Sequence, residues 1–245
     1  MRGPAGAFVL VGLETFAGTF VLMWITMLVW RVVDRGHYRA AAYCLVPLVV
    51  AISFALPRNL RTEGFVLAGL MAAFLVAVYM QRPLLEVATG ALASGLSVWL
   101  ILQGGSRTCG GCTDGIALAV AGTFFLGAVT HAMVLGHWYL NQPRLPIEPL
   151  KGATWIMLAS LGAAGLAGFA SRGRLLRAVL PGLVAFSASG YWWAWVLLLV
   201  GTIVLALMVR STVWARSTQS ATGLLYIAMI TAIGAQFLVS LLVAP

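Results

Sequence analysis

The chain has 245 residues, 62% hydrophobic and 9% charged, with a mean hydropathy of +1.00. A soluble domain carries about 25% charged residues, so a water-facing globular fold is excluded and the solvent is lipid. The formal net charge of +9 is spread over nearly every polar break. That spread argues against a nucleic-acid surface and for positive-inside anchoring with snorkelling side chains.

Apolar runs of about 18 residues or more mark spanning helices. Backbone groups in hydrocarbon must bond within their own segment, and the alternating pattern of barrel strands is absent. The sequence therefore predicts an all-α polytopic integral membrane protein, one transmembrane domain over 1–245 with about eight transmembrane helices. In chain order they are expected at 6–30, 40–56, 64–80, 84–102, 115–140, 153–170, 178–209 and 221–243. The first follows a weakly charged start and is too long for a cleaved leader, so it is expected to act as an uncleaved signal. The seventh would be roughly 48 Å long, too long for a bilayer core of about 30 Å. "SASGYWW" (187–193) interrupts it, so 178–188 is expected along the surface, re-entrant, or as a ninth short span.

Five short matches recur in the same order in both halves: AGTF at 17–20 and 121–124, GHY at 36–38 against GHWY at 136–139, FALPRNLR (54–61) against FASRGRLLR (169–177), VLAGLMA (66–72) against VLPGLVA (179–185), and ATGAL (88–92) against ATGLL (221–225). They suggest a tandem four-helix unit at 6–104 and 115–243, with the two halves related by an axis along the membrane normal. Cations divide almost evenly between the two faces. Arg31, Arg35 and Arg39 follow the first helix at once, which favours termini outside, in a prokaryotic inner membrane.

Polar groups sunk in apolar helices are the candidates for function. Glu14 sits well inside the first span, and Gln236 on the last span is expected at a similar depth as its polar partner. His131 lies about nine residues inside the end of its helix, with Tyr226 expected at a comparable depth. His137, Trp138 and Tyr139 close that helix, and Pro143, Pro146 and Pro149 make a stiff strap to the chain's only lysine, Lys151. His131 and His137 are six residues apart, roughly 120° off a common face, so they do not suit one metal ion. Three histidines are too few for two bis-histidine haems. Cys109 and Cys112 form a Cys-x-x-Cys pair between the halves, expected as a structural staple or a redox pair. Cys44 is expected as a buried apolar filler.

Nucleotide-binding loops, nucleophile elbows, zinc-protease signatures and D-x-x-x-D acid pairs are absent. The expected function is a membrane-embedded subunit of a redox or respiratory-type complex. It would bind quinone or a single haem through His131, His137 and Glu14, with Tyr226, Trp138 and Tyr139 beside them. Its expected partners are the lipid bilayer and other membrane subunits, not nucleic acid. The alternatives are a small proton- or cation-coupled transporter or channel of two similar halves, and a structural subunit without chemistry.

Overall fold

The computed structural model describes residues 3–108, 110–142, 144–178 and 187–243. Their regular structure is wholly helical: α1 (Gly3–Val29), α2 (Arg35–Ala55), α3 (Arg58–Tyr79), α4 (Pro83–Thr108), α5 (Thr113–Asn141), α6 (Glu148–Ala170), α7 (Arg172–Leu175), α8 (Ala188–Trp214) and α9 (Thr218–Val243). All but the single-turn α7 are long and apolar enough to cross a membrane, giving 8 candidate spans. The chain is an all-α polytopic membrane protein. Odd-numbered spans α1, α3, α5 and α8 start at one face, called the first; α2, α4, α6 and α9 return to it from the second.

Two helices form the axis. The apolar windows of α5 and α1 are 72% and 61% buried, against 33–50% for the other spans. These two pack on each other and on α4 and α9. The pairs α2–α3 and α6–α8 lie outside them on either flank. At the centre Gly18 of α1 meets Gly127 of α5. A methyl group added at either glycine would fall on the other's backbone. Lipid gives helices no hydrophobic drive to associate, so such close approach supplies the dispersion contact that holds them. Elsewhere tryptophans fill the space glycines leave: Trp24 against Gly90, Trp30 against Gly152 and Trp195 against Gly168.

Leu84, Leu166, Leu197 and Phe8 are among the most exposed side chains, and their apolar character suits contact with acyl chains. At the second face Arg210 lies 4.6 Å from the Trp155 ring and 4.9 Å from Trp214. Lys151 stands 5.4 Å from Trp214. Cations thus rest their stems on interfacial aromatics while their heads reach polar surroundings.

Three sequence expectations change. Helix α2 starts at Arg35, not near 40, because Arg35 and Arg39 turn toward polar partners from within the helix. The stretch 187–193 opens α8 rather than breaking it: Ser187 is the N-cap and accepts from the Gly190 amide at 3.4 Å. The expected surface or re-entrant piece at 178–188 falls mostly outside the described residues. Cys44 is free and exposed on α2, so it is a small apolar residue on an outer face rather than in the core.

Replacing Gly127 by Ala is expected to destabilise the bundle by about 3 kcal/mol, since backbone rather than a flexible side chain must yield. The thermal unfolding midpoint in detergent should fall by about 5–10 °C. Gly69, where an added methyl meets nothing within 4 Å, is the control: Gly69→Ala should leave the midpoint unchanged or raise it slightly.

Candidate functional site

The α1–α5 seam carries two titratable side chains, one on either side of the glycine crossing. Glu14 precedes Gly18 by one helical turn, and His131 follows Gly127 by one turn. Each therefore shares the face that its glycine presents to the partner helix. Both helices run the same way, so Glu14 lies toward the first face and His131 toward the second.

Glu14 is fully buried. Neither carboxylate oxygen has a hydrogen-bond partner of good geometry, although the Gln236 amide is its polar neighbour. The two line a cavity of ≈ 10 Å³ with Thr108, Gly115, Ser240 and Val243, room for about one water. Thr108 and Val243 end α4 and α9, and Gly115 belongs to the first turn of α5. The lining thus runs from mid-membrane to the first face. Gly122 makes space for Gln236: a methyl group there would overlap its side-chain amide.

Toward the second face the His131 Nε2 and the Thr26 hydroxyl of α1 are 2.9 Å apart and hydrogen-bonded. Thr26 is twelve positions beyond Glu14, about 18 Å along the helix, and Phe16 and Phe20 lie buried between them. His37, in the first turn of α2, meets His131 edge to face with ring centroids 6.5 Å apart and lies 5.8 Å from Trp138. It is 1% exposed, so it is a core residue despite the arginines on either side of it. Both His37 ring nitrogens, the Tyr38 hydroxyl and the Trp138 indole N–H are buried without a partner.

The remaining expected residues lie apart from this cluster. His137 is exposed, and its Nδ1 is 3.2 Å from the Tyr226 hydroxyl. Tyr226 therefore joins the interfacial histidine rather than His131. The Tyr139 hydroxyl donates to the Pro146 carbonyl, tying the end of α5 to the proline strap. Cys112 is disulfide-bonded and caps α5 by accepting from the Gly115 amide at 3.2 Å; Cys109 and Pro143 lie outside the described residues. The first face also carries an Arg174–Asp114 ion pair at 2.9 Å.

Thr26, His37 and Tyr38 were not singled out by the sequence, nor was Glu86, a buried acid paired with Arg35 at 3.0 Å. The available signal was helix phase: Thr26 lies two turns beyond Gly18 on the same face. Among the described residues no group of three or more His, Cys, Asp or Glu side chains is arranged to hold a metal ion. The chain matches no protein-family model, no curated protein and no solved structure.

Replacing the Glu14 carboxyl by an amide should not cost stability, because its oxygens receive no well-aligned donor. Glu14→Gln is expected to leave the unfolding free energy within about 1 kcal/mol of the parent or to raise it. Thr26→Val, which takes away a made bond, should lower it by about 1 kcal/mol. Thermal midpoints of the two variants, measured side by side, check both.

Proposed function

We propose that the protein is a small transporter or channel coupled to protons or monovalent cations, with Glu14 as the exchanging group. The observation that carries this reading is a buried carboxyl with no well-aligned donor, facing a one-water cavity whose lining leads to one membrane face. A carboxyl kept only for structure would be expected to receive donors, since an unpaired polar group in hydrocarbon costs several kcal/mol. A group that alternately takes and releases a cation must leave its oxygens free. The glycine crossing and the phenylalanines beside it separate the two polar ends, as a coupled mechanism requires of a barrier.

Helix pairing supports the notion of two similar halves. The neighbours α1–α4, α2–α3 and α3–α4 correspond to α5–α9, α6–α8 and α8–α9, and α1–α9 corresponds to α5–α4. An axis along the membrane normal through the α1–α5 contact relates them. A prokaryotic inner membrane with both termini outside belongs to the same proposal.

A second reading, a quinone- or haem-binding subunit of an electron-transport complex, is favoured by the unpartnered nitrogens of His37 and Trp138 beside His131. A haem held by His131 would displace Thr26 from the Nε2 that it occupies. A quinone carbonyl would accept from a His37 ring N–H.

Purified protein in liposomes separates the two readings. A potential set by valinomycin should drive proton or sodium flux, reported by an entrapped pH- or sodium-sensitive dye. Glu14→Gln should reduce that flux by at least roughly tenfold, and Glu14→Asp should retain part of it. Flux at the parent level in Glu14→Gln removes the transport reading. A Soret band, or quinone in the organic extract, that disappears in His131→Ala would establish the redox reading instead.

A further inference from the structure

A polar cavity of ≈ 540 Å³ opens at the second face between the end of α1 and the starts of α2 and α4. It is separate from the Glu14 void and does not depend on the function proposed for it. Arg31, Arg35 and Arg39 line it, facing Asp34 and Glu86. The charges are not equivalent. Arg35 is engaged by Glu86 at 3.0 Å, which neutralises both. Arg39 rests its guanidinium 4.3 Å from the Tyr79 ring, and its Nε has no hydrogen-bond partner. Asp34 stands at the N-cap of α2; its carbonyl accepts from the His37 amide at 3.0 Å, but its side chain makes no cap bond.

Two helices also begin at this cavity. Both α2, from Arg35, and α4, from Pro83, present the positive end of their backbone dipole there. Between them stands Tyr38, 1% exposed, part of the cavity wall, with a hydroxyl that bonds to nothing. A buried O–H donor left open is costly unless something accepts from it. The wall thus supplies the Arg31 guanidinium, the open Nε of Arg39, whose Nη2 donates to the Val78 carbonyl at 3.4 Å, two helix N-termini and one open hydroxyl donor. One acid, Asp34, remains to oppose them. The acceptor that matches this set is a phosphate oxyanion.

The other lining residues decide which kind of phosphate. Leu28 and Val87 belong to the wall and are 41% and 42% exposed, and the adjacent Leu84 is 87% exposed. Those side chains carry the cavity outward onto the lipid-facing surface of the bundle. A phosphate group there would have an apolar path for attached acyl chains.

We infer that this cavity is a binding site for the phosphate of an anionic phospholipid headgroup, held by Arg39, Arg31 and the Tyr38 hydroxyl, with the acyl chains running down past Leu28 and Val87. Zwitterionic phosphatidylcholine carries the same phosphate but brings a bulky quaternary ammonium that must face Arg31 and Arg39, so it is disfavoured.

The test is thermal unfolding of the full chain in a neutral detergent, titrated separately with phosphatidylglycerol, phosphatidylcholine and inorganic phosphate at matched ionic strength. A ligand that binds only the folded state raises the midpoint as its concentration passes its dissociation constant. Phosphatidylglycerol is expected to raise it by several degrees, with phosphatidylcholine and inorganic phosphate giving less than half that rise. Tyr38→Phe keeps the ring packing and removes only the unbonded hydroxyl. Without lipid it should unfold at or slightly above the parent's midpoint, and it should lose at least half of the phosphatidylglycerol shift; Arg39→Gln should lose as much. Equal shifts with the two lipids, or a full shift in Tyr38→Phe, would overturn the site. A shift with inorganic phosphate as large as that with phosphatidylglycerol would assign the cavity to soluble anions and overturn the lipid assignment.

Discussion

The backbone approach of α1 and α5 at Gly18 and Gly127 is the contact on which the rest of the bundle depends. In hydrocarbon, an apolar side chain gains almost nothing by leaving lipid for protein. Helices hold together where small residues let backbones come close. This pair does so at the centre of the molecule, where neither glycine has room for a methyl group. The other long helices then attach to a ready-made axis, and their neighbours fall into two flanks. The same crossing determines which side chains are buried. One turn before Gly18 and one turn after Gly127 the seam buries a glutamate and a histidine, Glu14 and His131.

Two polar ends follow from that arrangement. On one side of the crossing are Glu14, Gln236 and a void for a single water. On the other are Thr26, His131 and His37, with Trp138 packed beside His37. The crossing and the stacked rings of Phe16 and Phe20, 6.2 Å apart, keep them separate. Neither end can influence the other by direct contact. Coupling between them would have to act through the α1–α5 packing itself, which is bistable only if the glycines can slide.

Span number and class were legible because a lipid solvent demands long apolar helices and little else. The depths of Glu14 and His131 were legible for the same reason: position along a spanning helix is counted in residues. Rotation about the helix axis was not, because nearly every face of these helices is apolar and hydropathy carries no phase. Hence Tyr226, expected near His131, reaches His137 instead. Hence also the burial of His37 between Arg35 and Arg39 has no counterpart in the local charge pattern. Arg35 and Arg39 mark a helix whose cationic heads find Glu86 and the Tyr79 ring without leaving the fold, a distinction that local charge does not make. The glycines of "AGTF" and "LGAV" held the missing phase, since a small residue in a spanning helix is where a neighbour comes close.

The bundle supplies its own standard for judging Glu14. Where polar side chains serve only to join helices here, they meet: Thr202 of α8 donates to Thr231 of α9 at 2.8 Å, and Thr26 engages His131 at 2.9 Å. Some buried hydroxyls return to their own helix, as Ser97 does to the Ala93 carbonyl at 2.7 Å, and others, such as Thr19, Ser94 and Thr130, have no partner. Glu14 joins the second group, with the Gln236 amide as its polar neighbour. A carboxyl is the costliest of these groups to bury with poor pairing. Glu14 and Gln236 also share the wall of a void with room for about one water, and for that reason the transport proposal rests on this residue and not on the unpaired hydroxyls.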